Sequence, residues 1–442
     1  MTWDNRYITA RNWWLRSPNA NNANNERNVN TSGAGNNNNA NNSNGVAVDC
    51  GNSQLKVAVR PNRCAHAGSD YPTSKEGITR VTQAACELVL LLAPAICMDY
   101  YDKAISFDAL YKALKKVCRN VRWKDSVVGY ENNDLRNTLA LHNALADDTY
   151  KISKYQAFTI REPKERTIVA SRLPDRQMQR ALCDAGLYAD ITEHFIRDNV
   201  ACQRGRGTDD ALRRMKVHLQ RYYRKHGADG WVLKCDVHHF FPSTRHDVAK
   251  AAVRKYVSDT RAAEAVCTII DSFDGDTGIG LGSEISQLVE LLVLNDLDHY
   301  IKERLHIKHY VRYMDDFILI HPDKAYLRYC RKAIAEYLDG IGLTLNRKTN
   351  LAPLRQGVEY LQWRFVLTDT GKVLMLMDGR KFAHQRRRMR KLWAREQAGR
   401  MPAGTTRDSL QAFLANAARG NTYRQCAKIK QFYKDMTGRD YE

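Results

Sequence analysis

The sequence predicts an α+β fold in which a small antiparallel sheet is backed by helices. Two short runs, 309–312 and 317–320, are rich in β-branched and aromatic residues and flank the turn sequence Tyr313-Met314-Asp315-Asp316. This pattern favours a β-hairpin with an acidic tip. A third apolar run, 231–235, predicts a strand that ends at Asp236. Apolar residues at helical spacing between 286 and 304 predict a helix behind the sheet.

The acidic residues of these strands indicate a metal site. Adjacent carboxylates at a hairpin tip repel each other, and apolar surroundings disfavour their charged forms. A bound divalent cation removes that penalty, and hard cations such as Mg²⁺ prefer carboxylate oxygens. For Asp315 and Asp316 alone, a solvated acidic turn is the alternative interpretation. Because Asp236 ends a second strand, the three together favour a two-metal site for in-line phosphoryl transfer.

The order of these motifs resembles the palm of reverse transcriptases. Phe241 follows Asp236 by five residues, and the Tyr-x-Asp-Asp hairpin comes after both. The resemblance implies a right-hand polymerase with helical fingers, an antiparallel-sheet palm backed by helices, and a helical thumb. Further segments resemble blocks of the same family in the same order: 162–166 with 175–177, 205–212, 281–287, 343–349 and 358–363.

The resemblance also assigns roles in template-directed nucleotidyl transfer. Asp236 and Asp315 would bridge two Mg²⁺ ions, for which Mn²⁺ could substitute, and Asp316 would add a ligand or a negative field. Val237 would complete the metal site. Seven residues would contact the deoxynucleoside triphosphate: Lys164, Arg166, Phe241, Leu281, Gly282, Gln287 and Lys348.

Individual functions follow for some of these seven residues. Lys164 and Arg166 would bind the triphosphate, since a planar guanidinium forks onto phosphate oxygens. Phe241 would exclude a 2′-hydroxyl and so select deoxynucleotides. Lys348 would protonate the pyrophosphate, unless it is an ordinary surface lysine after a strand.

One segment departs from the general family pattern and suggests a subtype. Most reverse transcriptases have Pro-Gln-Gly where this chain has Gly280-Leu281-Gly282. The following Ser286-Gln287 pair and the Tyr-Met-Asp-Asp hairpin are similar to those of diversity-generating retroelement reverse transcriptases. That family copies template adenines unfaithfully. Leu281 can pack but cannot replace a hydrogen bond worth about 1 kcal/mol, so it would contribute to the infidelity.

The amino-terminal segment supports the same subtype. Between residues 19 and 44, 14 of 26 residues are Asn, a composition that cannot offset the entropy of ordering. A disordered or prion-like tract is one interpretation. The other rests on codons: AAC is adenine-rich, and randomising its adenines produces many residue types but no stop codon. Because residues 12–18 and 29–33 resemble the end of the C-type-lectin-like proteins that these elements diversify, residues 1–52 are interpreted as a translated template repeat.

The remaining domain boundaries follow from the positions of the family blocks. Residues 53–99 form a linker of unknown role, and Met98 is an alternative start for the enzyme. Helix-rich fingers with a hairpin near 158–170 are expected over 100–225, the palm over 226–368, and a helical thumb over 369–442. Two further helices are expected: 325–339 in the palm and 410–417 in the thumb.

The charge of the chain fits a nucleic-acid partner. The formal net charge is +20, and residues 380–400 hold nine Lys or Arg but one acid, as expected of a thumb that grips a duplex. The predicted partners are template RNA, the cDNA primer–template duplex, deoxynucleoside triphosphates and a small basic accessory protein of the retroelement. Residues 88–97 are too few to span a membrane, and no signal peptide is recognised, so a location in the cytoplasm of a bacterial or phage-infected cell is expected.

Three other functions fit the sequence less well. A retron-like or group II intron-like reverse transcriptase of ordinary fidelity would leave the Asn-rich segment unexplained. A nucleic-acid-binding scaffold without catalysis would not need all three carboxylates. A displayed variable lectin would need more than 52 residues to bury a core. The eleven cysteines include no Cys-x-x-Cys pair, which argues against a zinc ribbon and indicates reduced thiols.

Overall fold

The computed structural model describes residues 99–161 and 165–441, together with the backbone of three short strands within residues 13–59. The chain divides into two compact units, Met1–Ala93 and Pro94–Glu442. The second unit contains every described helix and all of the polymerase-like motifs.

The first unit contains three antiparallel strands in the order β1 (Trp13–Leu15), β2 (Val46–Gly51) and β3 (Gln54–Val59). Val46 lies opposite Val59 in the β2–β3 pair, as expected for β-branched residues in a hairpin. The strands flank the Asn-rich segment 19–44, which lies outside the described residues. The interpretation of residues 1–52 as a translated template therefore stays a prediction.

The second unit begins with helices, as the sequence predicts for the fingers. The hydroxyl oxygen of Ser106 accepts a hydrogen bond from the backbone N–H of Ala109 at 3.3 Å and caps the second helix. The hairpin expected near 158–170 is confirmed as β4 (Gln156–Ile160) paired with β5 (Arg166–Ala170). The helices are α1 (Tyr100–Ile105), α2 (Phe107–Val117), α3 (Asp125–Glu131), α4 (Asp134–Ala146), α5 (Leu173–Leu182), α6 (Tyr188–Glu193) and α7 (Thr208–His226).

A four-stranded antiparallel sheet forms the centre of this unit. Its strands are β6 (Trp231–Asp236), β7 (His309–Tyr313), β8 (Asp316–His321) and β9 (Asn350–Pro353), in the spatial order β7-β8-β6-β9. Side chains alternate between two hydrophobic clusters: Leu233 packs into one, and Val232 packs into the other. Both faces of the sheet are therefore covered, which explains why its strands are continuously apolar.

Helices from the loops between these strands cover the sheet. The predicted α+β class and the helix expected at 325–339 are confirmed. The single helix expected over 286–304 is wrong, because the chain leaves helical geometry at Leu294 and continues in a second short helix. The helices are α8 (Phe240–Ser243), α9 (His246–Tyr256), α10 (Thr260–Asp271), α11 (Glu284–Val293), α12 (Asn295–His299) and α13 (Lys324–Gly340).

The carboxy-terminal part combines a second antiparallel sheet with three helices. The sheet contains β10 (Val358–Tyr360), β11 (Trp363–Leu367) and β12 (Val373–Met377). The expectation of helices alone over 369–442 is therefore wrong at β12, whose alternate residues are buried against the second core. The helices α14 (Gly379–Gln397), α15 (Thr405–Ala417) and α16 (Tyr423–Thr437) follow.

The basic helix predicted after residue 380 is confirmed as α14. Phe382 and Met389 are buried on its inner side, and the Phe382 ring packs edge-on against Phe413 of α15, with ring centroids 5.0 Å apart. Arg387 and Arg388 lie exposed on its outer side. Within residues 99–161 and 165–441, no helix is both long enough and apolar enough to cross a membrane.

Candidate active site

Two neighbouring strands bring the carboxylates of the sequence motifs together at one end of the central sheet. Asp236, the last residue of β6, lies directly opposite Asp316, the first residue of β8. Opposite residues of antiparallel strands project from the same face, so these two carboxylates are neighbours. The backbone N–H of Val237 donates to the carbonyl oxygen of Asp315 at 3.2 Å, which holds the hairpin tip beside the end of β6. The structure therefore places Asp236, Asp315 and Asp316 in one half-buried site.

The electrostatics of Asp316 show that the one lysine beside it does not offset its burial and the two neighbouring acids. Burial raises the pKa of Asp316 to about 6; the ammonium of Lys234 opposes this rise, whereas Asp236 and Asp315 add to it. The Lys234 Nζ lies 3.5 Å from Asp316 Oδ2. The other oxygen, Oδ1, is buried and accepts no hydrogen bond from the described residues. An unpaired carboxylate oxygen among three acids fits a divalent cation, which would stabilise the charged form.

Asp236 is held in place by a residue from a distant segment. Asn346 donates from its side-chain Nδ2 to Asp236 Oδ2 at 2.7 Å, and its backbone N–H donates to the Asp236 carbonyl oxygen at 2.7 Å. The next turn continues through Lys348, whose backbone N–H donates to Asn346 Oδ1 at 3.1 Å. Hydrogen bonds of this kind fix a ligand's orientation and leave its second oxygen available to a cation.

A buried arginine stabilises the hairpin that carries Asp315. Arg312 is fully buried, and its guanidinium donates to both carboxylate oxygens of Asp298, at 2.8 and 2.6 Å. Its Nη1 also donates to the carbonyl oxygen of Met314 at 3.1 Å. Met314 has a φ of +57°, which a residue with a side chain rarely adopts. The arginine therefore stabilises the strained turn immediately before Asp315.

A second buried acid lies near the site. Burial raises the pKa of Glu290 well above its ordinary value, and the nearby charge of Asp315 adds to the rise. The Thr244 hydroxyl lies 2.9 Å from Glu290 Oε2 and 3.0 Å from the Phe240 carbonyl oxygen. The hydroxyl has one proton, so the Glu290 carboxyl oxygen and the Phe240 carbonyl oxygen share it as acceptors. Glu290 thus connects α11 to the aromatic segment that follows Asp236.

The β4–β5 hairpin contacts the loop predicted to lie against the templating base pair. The backbone N–H of Val169 in β5 donates to the carbonyl oxygen of Leu281 at 3.0 Å. Gly282 has a φ of +143°, and a Cβ there would come within 2.9 Å of the Val169 carbonyl oxygen. Gly282 is needed for this close approach. Leu281 and β5, which begins at Arg166, are therefore parts of one surface.

The other predicted nucleotide-binding residues lie in three places. Phe241 is half-buried in α8, Gln287 is half-buried on α11, and Lys348 is exposed beyond Asn346. Val237 is buried, so it borders the site through its backbone. Lys164 and the side chain of Arg166 lie outside the described residues, and their assignment stays a prediction.

One part of the fingers motif has a structural role instead. Asp175 is buried and accepts hydrogen bonds from the Tyr150 hydroxyl at 2.6 Å and from the Ser153 backbone N–H at 3.1 Å. Gln177 is also buried, and its amide donates to the Leu110 carbonyl oxygen at 3.1 Å. These side chains join α5 to its neighbours, so they cannot face an incoming triphosphate.

Sequence reasoning missed Lys234, Asn346 and Arg312. Lys234 lies two residues before Asp236, so strand alternation alone places both on one face. A charged residue within the apolar run before the hairpin was a signal for Arg312. Asn346 lies in the block 343–349, but its contact with Asp236 had no local signal, because 110 residues separate the two.

Comparisons with known proteins give distant similarities. No family model matches the chain. The Protein YkfC of Escherichia coli (strain K12) is 25% identical over 289 residues, covering 54% of this chain and 75% of that protein.

Solved telomerase structures from two Candida species also align with the chain. Apo telomerase from Candida tropicalis, truncated from its C-terminal domain, aligns with a TM-score of 0.40 and 13% identity, over 55% of this chain and 60% of that chain. Telomerase from Candida albicans, in complex with a TWJ fragment of telomeric RNA, aligns with a TM-score of 0.39 and 10% identity, over 69% of this chain and 65% of that chain. Both alignments span less than two thirds of the telomerase chain.

Proposed function

We propose that this protein is an RNA-directed DNA polymerase that catalyses template-directed nucleotidyl transfer. The observation that carries the proposal is the pairing of Asp236 with Asp316 across β6 and β8, with Asp315 held beside them by Val237. Three carboxylates at the end of one sheet match what two-metal phosphoryl transfer requires. Their order in the chain, with Phe241 between them, is that of the reverse transcriptase palm.

Asp236, Asp315 and Asp316 would hold two Mg²⁺ ions, and Mn²⁺ would be an alternative. When bound, the ions would lower the pKa of the primer 3′-hydroxyl and neutralise charge on the pyrophosphate. The protein contributes orientation: Asn346 fixes one oxygen of Asp236, and Arg312 supports the turn before Asp315. Lys348, exposed beyond Asn346, would donate a proton to the leaving pyrophosphate.

The nucleotide would lie between the fingers hairpin and the segment after Asp236. Lys164 and Arg166 would bind its phosphates, and Phe241 would contact its sugar and exclude a 2′-hydroxyl. The contact between Val169 and Leu281 supports this arrangement, since it brings the base-pair loop to the hairpin that carries Arg166. The exposed arginines of α14 would contact the template–primer duplex.

The finer assignment is a diversity-generating retroelement reverse transcriptase that makes adenine-mutagenised cDNA from a template-repeat RNA. It is supported by Leu281 in place of the usual Gln and by the Asn-rich segment 19–44. A small basic accessory protein would be its partner. A retron-like or group II intron-like enzyme of ordinary fidelity is the alternative, and the error spectrum of the cDNA distinguishes the two.

The central test is primer extension on an RNA template with deoxynucleoside triphosphates and Mg²⁺. Asp315→Ala should abolish cDNA synthesis, because it removes a metal ligand. It should leave RNA binding largely intact, because it removes no lysine or arginine. Asp369→Ala is the matched control, since Asp369 is exposed and lies outside the site, and it should extend like the wild type. Near wild-type synthesis by Asp315→Ala would refute the assignment.

A further inference from the structure

A basic pocket lies beside the edge strand β7, outside the carboxylate site. Its volume is about 260 Å³, and it shares no lining residue with that site. The strand β7 begins at His309, next to the pocket residue Lys308, and ends at Tyr313, before the acidic tip. Six cationic side chains line the pocket: Arg197, Arg213, Arg214, Arg221, Lys302 and Lys308.

The pocket wall is one face of α7. Arg214, His218 and Arg221 are spaced by four and then three residues, so they project from the same side of the helix. Arg214 and His218 form the deep part, with side chains only 11% and 9% exposed. A buried, preorganised guanidinium is well suited to a planar or tetrahedral oxyanion.

Two carboxylates neutralise part of this charge. Asp198 accepts hydrogen bonds from Arg214 at 3.0 Å, His218 at 2.9 Å and Lys302 at 3.1 Å. Burial alone would raise the pKa of Asp198, but its contacts with His218 and Lys302 hold it well below the ordinary value, so it is ionised. Asp210 pairs with Arg214 and Arg213. Two acids therefore face six cations.

The excess charge lies at the mouth of the pocket. Arg197, Arg221 and Lys308 are exposed. Within the described part of the chain, their side chains form no hydrogen bond or ion pair. They come from three separate segments, yet they converge on the same cavity. Unpaired cations around a cavity with a fixed arginine floor attract an anion strongly, because the walls exclude part of the screening solvent.

We infer that this pocket binds a backbone phosphate of single-stranded RNA away from the catalytic carboxylates. Arg214 would contact the phosphate oxygens in the deep part, and Arg197, Arg221 and Lys308 would surround it. RNA is favoured over a free anion because the whole chain carries a net charge of +20, which suits a polyanion. The choice of RNA rests on the proposed function, whereas the pocket itself rests on its own geometry.

The test compares two full-length triple variants in equilibrium binding to a single-stranded RNA at several salt concentrations. One variant is Arg197→Gln, Arg221→Gln and Lys308→Gln, which leaves the Asp198 network intact. The control is Lys103→Gln, Arg136→Gln and Lys151→Gln, which removes equal charge from exposed positions elsewhere.

The pocket variant should bind the RNA about ten-fold more weakly near 0.15 M salt. The slope of log affinity against log salt is negative, and its magnitude should decrease by about one. The control should retain most of its affinity, and both variants should extend a preformed short primer–template at low salt like the wild type. Equal losses in the two triple variants would overturn the inference, because only net charge would then matter.

Inorganic phosphate serves as the probe that distinguishes a free phosphate ion from an RNA backbone phosphate as the ligand of the pocket. If it raises the unfolding temperature of the wild type but not of the pocket variant, while RNA affinity is the same in both, the pocket binds a free anion and the RNA assignment is wrong. RNA binding does not require catalysis, so failure here is separable from failure of the polymerase assignment, which the Asp315→Ala reaction measures.

Discussion

Arg312 and Asp298 form a fully buried ion pair directly behind the candidate catalytic hairpin, and both side chains have no solvent exposure. Two hydrogen bonds join them, and the Tyr310 hydroxyl donates to the same carboxylate at 2.6 Å. Buried charges cost several kcal/mol to desolvate, so the pair is a weak source of stability. Its value lies in the other hydrogen bonds of Arg312, which donates to the carbonyl oxygens of Met314 at 3.1 Å and Leu291 at 3.3 Å.

This arrangement predicts different results for a single and a double substitution. Arg312→Met alone should lower the free energy of unfolding by about 3–5 kcal/mol, because it leaves Asp298 charged and unpaired in the core. Adding Asp298→Asn should recover most of that loss, since Asn still accepts from Tyr310. The double variant should fold but extend primers slowly, because Met314 has lost its donor. Thermal unfolding and primer extension measure the two effects, and wild-type rates in the double variant would contradict the positioning role.

Gly282 provides a prediction about the contact between the β4–β5 hairpin and the loop before α11. Gly282→Ala should cost about 1–3 kcal/mol of stability and reduce nucleotide incorporation, because its Cβ would meet the Val169 carbonyl oxygen and its φ of +143° is unfavourable. Gly129→Ala, in helix α3 with no atom within 4 Å of the new Cβ, is the control and should be neutral or slightly stabilising. Chemical denaturation and single-nucleotide incorporation check both changes; equal effects would disprove the need for close approach.

Leu281 predicts a modest effect on fidelity. Leu281→Gln should reduce errors opposite template adenine by roughly five-fold, the equivalent of one hydrogen bond of about 1 kcal/mol. Errors opposite other bases should change less. Sequencing of cDNA made by both enzymes on one adenine-rich RNA gives the comparison. An unchanged adenine spectrum at comparable yield would place the source of infidelity elsewhere and weaken the retroelement assignment.

His309 predicts a pH dependence of stability. Burial lowers its pKa to about 4, and four nearby cationic or titratable groups add to the effect: His218, His226, Lys302 and Arg221. Below pH 6.5 the unfolded chain takes up a proton that folded His309 accepts only near pH 4. The contribution of His309 to the free energy of unfolding is therefore fully present above pH 6.5. It is lost as the pH falls toward 4, and the loss from this residue is at most about 3 kcal/mol.

The His309→Phe variant isolates that contribution. Phe cannot titrate, and its ring can keep the edge-on contacts that His309 makes with His218 and Tyr222. Urea unfolding at several values between pH 7 and pH 4.5 should show a smaller loss of stability in the variant than in the wild type. Parallel pH profiles would show that other groups control acid unfolding.

The sequence by itself determined the central strands β6, β7 and β8, the order of the motifs and the acidic hairpin. These features follow from local rules, because side-chain alternation and β-branched composition specify a strand without reference to the rest of the chain. Asp236 at the end of β6 and Asp316 at the start of β8 were predictable for this reason. The basic helix α14 was predictable from its composition alone.

Only the tertiary structure decided what surrounds these residues. Asn346 donates a hydrogen bond to Asp236, 110 residues away in the chain. Gly282 allows the close approach of the Val169 carbonyl oxygen, and the residues that line the basic pocket come from separate segments. The local pattern also did not indicate the break of the 286–304 helix at Leu294. The physical reason is that hydrogen bonds and ion pairs between distant segments depend on close packing, which periodicity does not encode.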